Sequence, residues 1–373
     1  MLKGDFRVTG NTNKQWRFRV QLVKELENWV CENLNTRHAT WNRKLDKKAT
    51  LEGKRRKAGQ YVTEHLALGK MKYPLEDTDP LFTGSQYDDE SMELQLKSGM
   101  YPVFQAHVQR QLQRVTNFNV HNVPAVTWEE VSQGMNATSL SRLRELCDQL
   151  DEQVDKETEM IGLVLRYQCI GGFTHNFHGS VPASWGTVLD EFTECFASPL
   201  NHKFEMYYSM FEQDRVFGSK GNFFRMVEEN GGVILPGRYE MNPPWMNAMY
   251  ERLVDVIEES LLRQNEIQVI IVGPHWTDTK WIPKLNMLLE SFQPYRRHSF
   301  GNRKRLQYSH DMSGDRFSLD SVYWVFSSGP VSSSLIRCAA LDSGANNLFL
   351  DIFQCEVSLP SNSKKRKVEH EIS

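Results

Sequence analysis

Apolar residues recur at three- and four-residue spacing in three parts of the chain, which is the pattern of amphipathic helices. The first part runs to about residue 35, the second covers residues 100–160, and the third begins after residue 245. Their apolar faces comprise Leu22, Val23, Leu26, Trp29, Val30 and Leu34, then Val103, Phe104, Val108, Leu112, Leu140, Leu143, Leu146 and Leu150, then Met246, Met249, Tyr250, Leu253, Val256, Ile257 and Leu261. The first 160 residues therefore predict an α-helical domain.

Short apolar runs typical of β-strands begin after residue 160. They cover residues 192–197, 231–235, 237–241, 267–272, 321–326 and 347–353, and glycine or proline punctuates several of them. We expect the run at 192–197 to be followed by a loop of small residues that enters a helix. Because such runs alternate with helical patterns, residues 161–358 predict an α/β domain, followed by a polar tail at 359–373.

Composition narrows the class of protein. With 373 residues, 40% of them hydrophobic, the chain has enough apolar surface for two domains with their own cores. The net charge of −3 argues against a uniformly basic coat for nucleic acid, although local basic patches remain possible. Six cysteines lie far apart, which predicts neither a zinc site nor a disulfide framework and fits a reducing compartment. We expect no signal peptide and no membrane span.

Charge is distributed unevenly along the chain. Residues 37–72 and 296–305 are rich in lysine and arginine, whereas residues 76–93 are acidic, rich in turn formers and predicted to form a loop. Arg17 and Arg19 alternate with aromatic residues in the first helix. Basic side chains of this kind can neutralise the phosphates of an RNA backbone, but they can equally form a solvated surface. Both interpretations stay open at these positions.

The segment Asn242-Pro243-Pro244-Trp245 stands between a predicted strand and the third amphipathic helix, where open α/β sheets bind ligands. Two prolines supply no backbone donors, so the carbonyl oxygens of this turn remain available to a ligand. The Asn242 amide oxygen and the Pro243 carbonyl oxygen can each accept one N–H of the exocyclic amine of adenine, and thereby aim its nitrogen at an electrophilic methyl group. Trp245 offers a flat wall for an unstacked base. An ordinary structural turn is the alternative.

Two further segments allow a ligand to approach the backbone closely. Residues 197–201 follow a predicted strand, and residues 214–221 contain Gly218 and Gly221. Neither segment matches the glycine spacing of a dinucleotide fingerprint, so spacing alone leaves a cofactor role open.

The tail contains a compact basic cluster, Lys364-Lys365-Arg366-Lys367-Val368, of the kind that nuclear import receptors bind. We therefore expect the protein in the nucleus, with an import receptor bound at residues 364–368.

Three blocks carry a resemblance to a known family: residues 194–201 (Glu-Cys-Phe-Ala-Ser-Pro-Leu-Asn), residues 217–219 (Phe-Gly-Ser) and residues 239–245 (Tyr-Glu-Met-Asn-Pro-Pro-Trp). In this order and at these intervals they resemble the phosphorylated-CTD-interacting-factor family of cap-specific mRNA (2′-O-methyladenosine-N6-)-methyltransferases. Members use S-adenosylmethionine to methylate the N6 amine of the 2′-O-methyladenosine beside the 7-methylguanosine cap. The resemblance covers roughly residues 160–330. It implies a Rossmann-like S-adenosylmethionine-dependent methyltransferase domain preceded by an α-helical domain.

The resemblance also implies roles for individual residues. Asn242, Pro243, Pro244 and Trp245 would form the catalytic turn, and no metal is implied. The implied cofactor contacts are Ala197, Ser198, Pro199, Asn201, Asp214, Phe217, Gly218 and Ser219. Asp214 is the candidate acceptor for the ribose hydroxyls. The candidates for binding capped mRNA are Arg17, Arg19, Trp276, Arg303 and Arg305, with Trp276 a stacking surface for the cap guanine.

Three features depart from the family pattern. Trp245 stands where we expect phenylalanine, and His275 stands where we expect a carboxylate that could read guanine. Family members that bind the phosphorylated polymerase tail carry a WW module, a small three-stranded sheet with two tryptophans. Here Trp16, Trp29 and Trp41 lie on helix-prone sequence without the turn residues of that module, which counts against binding to the RNA polymerase II tail.

The turn at residues 242–245 predicts direct methyl transfer to adenine N6, and the resemblance implies that this adenine is the cap-adjacent nucleotide of mRNA. Two alternatives remain open. The same turn could serve N6-adenine methylation at internal RNA or DNA sites, with a different substrate groove. Alternatively, a catalytically inactive RNA-binding scaffold could keep the same fold. The intact Asn242 turn argues against the scaffold, because a scaffold has no need of free carbonyl oxygens aimed into a cleft.

Overall fold

The computed structural model describes residues 10–33, 58, 62, 97–133, 135–170, 179–181, 183–245, 247–263, 266–274, 279–291, 304–310 and 316–327. In the last two segments it describes the backbone and the side chain of Trp324. Before the sheet lie five helices in the described part of the chain: α1 (Gly10–Asn33), α2 (Tyr101–Thr116), α3 (Trp128–Ser132), α4 (Ala137–Asp148) and α5 (Lys156–Cys169). Among the described residues no helix is long and apolar enough to cross a membrane.

Helix α1 forms where the apolar spacing predicts it. Leu22, Leu26 and Val30 are fully buried at four-residue intervals, and the helix packs mainly against α5. In α2, Phe104 and Val108 are buried as expected, whereas Val103 is 43% exposed. The prediction that Val103 belongs to the core face is therefore wrong, because this helix turns only one side toward its neighbours.

The remaining elements build one mixed sheet with helices between its strands. In chain order they are β1 (Gly179–Ser180), α6 (Ala183–Val188), β2 (Thr193–Ala197), β3 (Met206–Ser209), α7 (Phe223–Glu229), β4 (Gly237–Met241), α8 (Asn247–Leu262), β5 (Ile267–Pro274), α9 (Trp281–Ser291), β6 (Lys304–His310) and β7 (Arg316–Ser327). The sheet order is β1-β6-β7-β5-β4-β2-β3. Strands β3, β2, β4 and β5 are parallel, whereas β7, β6 and β1 add antiparallel pairings. The predicted α/β class is confirmed, and its parallel part is compatible with a Rossmann-like fold.

The direction of chain progression changes between β2 and β4. From β2 the chain moves outward to β3, then returns to β4 on the other side of β2 and continues outward to β5. Such a reversal leaves a crevice outside the carboxyl ends of the two central strands, which is where open α/β sheets bind ligands. The unit of strand, turn, helix and strand predicted around residues 242–245 is confirmed as β4, the turn, α8 and β5.

Strand β7 is long enough to pair with two different strands. Its residues from Ser321 onward pair with β5, while its first half, up to the same residue, pairs with β6. Because Ser321 lies opposite Pro274, the last residue of β5, the β6 half of β7 projects beyond the carboxyl edge of the parallel strands. Strand β1 extends this projection by pairing Gly179 with His310.

Two local predictions are wrong. Residues 231–235 form no strand but a turn after α7, because Gly231 and Gly232 adopt positive φ of 73° and 88° and end the helix there. The loop after β2 does not enter a helix, since it leads directly into β3. A helix N-terminus therefore contributes no dipole at residues 197–201.

Helix α5 continues through the domain boundary predicted at residue 160, and one hydrophobic core joins residues of α1 and α5 to residues of the sheet and its loops. Trp16 of α1, for instance, meets Phe211 edge-on at 5.6 Å between ring centroids. Several predicted features lie outside the described residues: most of the basic segment 37–72, the acidic loop 76–93, the strand at 347–353 and the tail at 359–373.

Candidate functional site at the carboxyl edge of the sheet

A cavity opens at the crevice between the ends of β2 and β4. It encloses about 570 Å³ of space, with the solvent at its open mouth included. Its lining residues are Tyr167, Ile170, Cys195, Phe196, Ala197, Ser198, Asn201, Ser209, Met210, Asn222, Phe223, Phe224, Pro244 and Met249. The structure thus brings together three of the predicted cofactor residues, Ala197, Ser198 and Asn201, with Pro244 of the predicted catalytic turn.

The loop after β2 is held by reciprocal hydrogen bonds. The backbone N–H of Ser198 donates to Oδ1 of Asn201 at 2.6 Å, and the backbone N–H of Asn201 donates to Oγ of Ser198 at 3.1 Å. This closed turn buries both polar side chains beside the end of β2. Pro199 lies between them and is buried as well. The loop therefore presents a rigid edge to the cavity.

Residues 214–221, the second predicted cofactor segment, lie beside the outer edge of β3. Gly218 has φ of 91°, a left-handed conformation that lets the chain turn back after a short 3₁₀ helix at Glu212–Phe217. Ser219 and Ser209 join their hydroxyl oxygens at 2.7 Å, and the Tyr207 hydroxyl donates to the Phe217 carbonyl oxygen at 2.8 Å. Ser209 lines the cavity, so residues 217–219 support the cavity wall from behind.

Asp214 is fully buried beneath the cavity. Its carboxylate oxygens accept hydrogen bonds from the Arg166 guanidinium and the Tyr167 hydroxyl, each at 2.7 Å. Burial raises the pKa of Asp214, and the Arg166 charge opposes that rise. The carboxylate has further lone pairs, but its side chain is fully buried, so a ribose hydroxyl could reach it only if the residues packed over it moved. The ribose role of Asp214 stays a prediction, while Tyr167 connects this buried pair to the cavity.

The turn after β4 holds the predicted catalytic residues. The Asn242 side-chain nitrogen donates to the Gly179 carbonyl oxygen of β1 at 3.4 Å, a long hydrogen bond that orients the amide. Pro243 is buried, Pro244 lines the cavity, and Trp245 is partly buried against the core. Because the amide nitrogen serves as the donor to Gly179, the Asn242 oxygen is the end available to accept an N–H.

The cavity wall is apolar and carries no charged side chain among its lining residues. Cys195 is the one thiol in that lining, and burial raises its pKa well above the ordinary range. A thiol held protonated is a poor nucleophile, so the arrangement does not favour covalent cysteine chemistry. Aromatic faces, two serine hydroxyls and two amides instead favour the binding of a planar or cationic small molecule.

The predicted RNA-binding residues are not brought together in the described part of the chain. Arg17 pairs with Glu130 at 2.6 Å on the outside of α1. Arg19 is 6% exposed and stacks over Trp16, so it would have to leave that ring to reach a phosphate. Arg305 lies on β6 opposite Asp320. Trp276 and Arg303 lie outside the described residues, and RNA contact by all five stays a prediction.

Sequence reasoning did not identify several cavity residues. Tyr167 comes from α5, Phe223 and Phe224 begin α7, and Met249 lies in α8. All four belong to helices whose apolar pattern predicts a core position, and nothing in that pattern separates a core residue from one that lines a cavity. The Phe223-Phe224 pair directly after Gly221 and Asn222 was the available signal, since it places two aromatic rings at a helix start beside a predicted ligand loop.

Comparison with known proteins supports the family resemblance. A family model described as "Phosphorylated CTD interacting factor 1 WW domain" matches residues 140–310, which include the cavity and the turn after β4. Over these residues the chain is similar to the phosphorylated-CTD-interacting-factor family. Relatives from Mus musculus and Homo sapiens, each named mRNA (2′-O-methyladenosine-N(6)-)-methyltransferase, are 34% identical over 87 residues, which is 23% of this chain. The aligned stretch spans 12% of the length of each relative.

The family match falls on a region whose described residues form helices and six of the seven strands of the sheet. Trp16 and Trp29, as predicted, lie on a helix, α1. Trp41 lies outside the described residues.

Proposed function

We propose that this protein is an S-adenosylmethionine-dependent methyltransferase that acts on the N6 amine of the cap-adjacent 2′-O-methyladenosine of mRNA. The names of the mouse and human relatives support a methyltransferase. The observation that carries the proposal is structural. Pro244 of the turn after β4 and Ala197, Ser198 and Asn201 of the loop after β2 line one cavity, at the point where strand order reverses.

The residues of the cavity fit the proposed methyl donor. Phe223 and Phe224 are neighbouring rings, with centroids 5.4 Å apart, that can flank an adenine or face a sulfonium cation. Asn201 and Asn222 add amide groups, and Ser198 and Ser209 add hydroxyls, for the polar parts of a nucleoside. When bound, S-adenosylmethionine supplies the electrophilic methyl group.

The turn after β4 provides what the acceptor amine needs. The amine of adenine is a weak nucleophile because its lone pair is conjugated into the ring. Asn242 Oδ1 and the Pro243 carbonyl oxygen can each accept one of its N–H groups, which orients the nitrogen and favours a lone pair directed toward the cavity. Trp245 offers an aromatic face for the base once it has left the stack. Positioning by these groups, rather than a strong base, carries the proposed catalysis.

Capped mRNA is the proposed partner of the site, and a nuclear import receptor is the proposed partner of residues 364–368. Binding to a phosphorylated CTD, to which the family name refers, is not part of the proposal. The resemblance links such binding to a WW module, and the described tryptophans of the N-terminal segment, Trp16 and Trp29, belong to helix α1.

The proposal is tested with RNA that begins with a cap and 2′-O-methyladenosine, the same RNA without the cap, and a DNA oligonucleotide of matching sequence. Each is incubated with the protein and labelled S-adenosylmethionine, and the nucleosides are analysed by mass spectrometry. We expect N6-methylation of the capped RNA alone. Equal methylation of capped and uncapped RNA, or of DNA, would favour the internal-adenine alternative. Methylation of none of them, by protein that binds the donor, would favour an inactive scaffold.

A further inference from the structure

Helix α4 contacts the loop after β2 through Arg142 and His202. The Arg142 guanidinium donates to Nε2 of His202 at 2.6 Å. Because a guanidinium has donors only, Nε2 must accept and the ring proton must lie on Nδ1. His202 Nδ1 donates in turn to the Phe204 carbonyl oxygen at 2.9 Å. The imidazole is therefore neutral and held by hydrogen bonds at both of its nitrogens.

The same imidazole joins the two segments that flank the cavity. Its ring stacks on Tyr207 of β3, with centroids 4.0 Å apart and planes 8° from parallel. The Tyr207 hydroxyl donates to the Phe217 carbonyl oxygen, and the His202 backbone N–H donates to the Ser198 carbonyl oxygen at 3.0 Å. The chain of contacts thus runs from Arg142 through His202 to residues 197–201 on one side and to residues 217–219 on the other.

The surroundings of His202 keep it uncharged. Burial lowers its pKa to about 4, and the Arg142 and Lys203 charges act in the same direction, against the hydrogen bond to the Phe204 carbonyl oxygen. Tyr207 covers one ring face, and the nearby Glu194 carboxylate accepts the backbone N–H of Lys203 at 2.7 Å. His202 is therefore an acceptor for Arg142 throughout the neutral pH range.

We propose that Arg142 is a positioning residue for the methyl-donor cavity, which holds His202 against Tyr207 and so sets residues 197–201 and 217–219 at the spacing the donor requires. This inference rests on the proposed S-adenosylmethionine-dependent function. Arg142 lies on α4, ahead of the sheet in the chain, and does not line the cavity. The helices before the sheet therefore contribute to donor affinity through a contact that never touches the donor.

Calorimetric binding of S-adenosylmethionine to the full chain tests this. Arg142→Leu removes the donor to His202, and Arg144→Leu is the matched control, because Arg144 is exposed on the same helix. We expect the dissociation constant to rise roughly tenfold in Arg142→Leu, as for the loss of one hydrogen bond from a charged group, and to stay unchanged in Arg144→Leu. If Arg142→Leu fails to fold, Arg142→Gln, a shorter neutral amide, carries the same expectation.

Two further readouts separate positioning from simple destabilisation. In Arg142→Leu, loss of one of the charges that lower the pKa of His202 should let this pKa rise from about 4, so donor binding should weaken on acidification at a higher pH than in the wild type. In methyl-transfer assays, KM for the donor should rise while kcat at saturating donor stays near wild type. A variant that is merely less folded would lose kcat instead.

The outcomes are distinguishable from those of the proposed function. If the wild-type protein binds no S-adenosylmethionine, the proposed function is wrong. If the wild-type protein binds it and Arg142→Leu binds it equally well at every pH, the positioning role is overturned while the proposed function stands. Equal weakening in Arg142→Leu and Arg144→Leu also overturns it, since that result would reflect the charge of the helix rather than the contact with His202.

Discussion

Glu194 on β2 and Glu240 on β4 are Cα partners in the parallel pairing of these strands, and both side chains are buried. Glu194 accepts the backbone N–H groups of Lys203 and Phe204, at 2.7 and 3.3 Å. Neither carboxyl oxygen of Glu240 has a hydrogen-bond partner among the described residues. Burial, and then the charge of Glu194, raises the pKa of Glu240 well above its ordinary value. The structure therefore favours the protonated acid at Glu240, under the crevice between β2 and β4.

This arrangement predicts how stability depends on pH. A carboxyl group whose pKa is raised by folding contributes stability below its unfolded pKa, here 4.5, and loses it as pH rises through the folded value. Glu240→Gln keeps the shape without the ionisation. We therefore expect the free energy of unfolding of Glu240→Gln, relative to wild type, to increase as pH is raised above about 4.5, in urea denaturation at a series of pH values. Glu152→Gln, at an exposed position, should show no such trend. The prediction would be contradicted if the free energies of unfolding of Glu240→Gln and wild type differed by the same amount at every pH.

Asn242→Ala should abolish most turnover without unfolding the protein. The substitution removes the proposed acceptor for the adenine amine, and loss of one preorganised polar contact in a transition state costs on the order of a hundred- to a thousand-fold in rate. Labelled S-adenosylmethionine and capped RNA measure the rate, and thermal unfolding checks the fold. Asn117→Ala, at an exposed position after α2, is the control and should keep full activity. Near-normal methylation by Asn242→Ala would remove the proposed mechanism.

Substitutions at Trp245 distinguish base stacking from core packing. If its ring stacks on the unstacked adenine, Trp245→Phe should keep most activity, whereas Trp245→Ala should lose roughly 1–3 kcal/mol of stacking and bind RNA more weakly. Binding is measured by titration of labelled capped RNA and compared with the rate of methylation. Since Trp245 also packs against the core, thermal unfolding of both variants is the control. Equal activities of the Phe and Ala variants would assign Trp245 to the core alone.

Phosphate contact and cap recognition should respond to different substitutions. Charge reversal at Arg303 and Arg305 should weaken binding of capped and uncapped RNA alike and flatten the salt dependence, because phosphate contacts carry no sequence information. Trp276→Ala should instead remove only the preference for capped RNA. Both are measured as RNA binding across a range of salt concentrations. A loss of cap preference in the arginine variants, with none in Trp276→Ala, would reverse these assignments.

The tail predicts a localisation that is separable from catalysis. Replacing Lys364, Lys365, Arg366 and Lys367 by alanine should move the protein out of the nucleus and leave methyl transfer in vitro unchanged. Imaging of the fluorescently tagged chain in cells measures the first effect. An unchanged nuclear signal would mean that targeting lies elsewhere in the chain.

Local pattern alone determined much of the framework around the site. The periods of α1 and α8, the apolar run of β5 and the strand at β4 were all predictable, because helix and strand periodicities depend on neighbours within a few residues. The position of Asn242 at the end of a strand and before a helix followed from the same local signals. The resemblance of three short blocks then pointed to the family whose model matches residues 140–310.

Only the tertiary structure decided which residues meet. Tyr167 and Phe223 reach the cavity from helices on either side of β2 in the chain. Asp214 accepts a hydrogen bond from Arg166, and Glu240 lies opposite Glu194 on the adjacent strand. The local sequence of residues 231–235 likewise predicts a strand, yet Gly231 and Gly232 adopt positive φ and the segment forms a turn. Contacts of this kind depend on the order of strands in the sheet, which joins residues far apart in the chain and leaves no periodic trace in the local sequence.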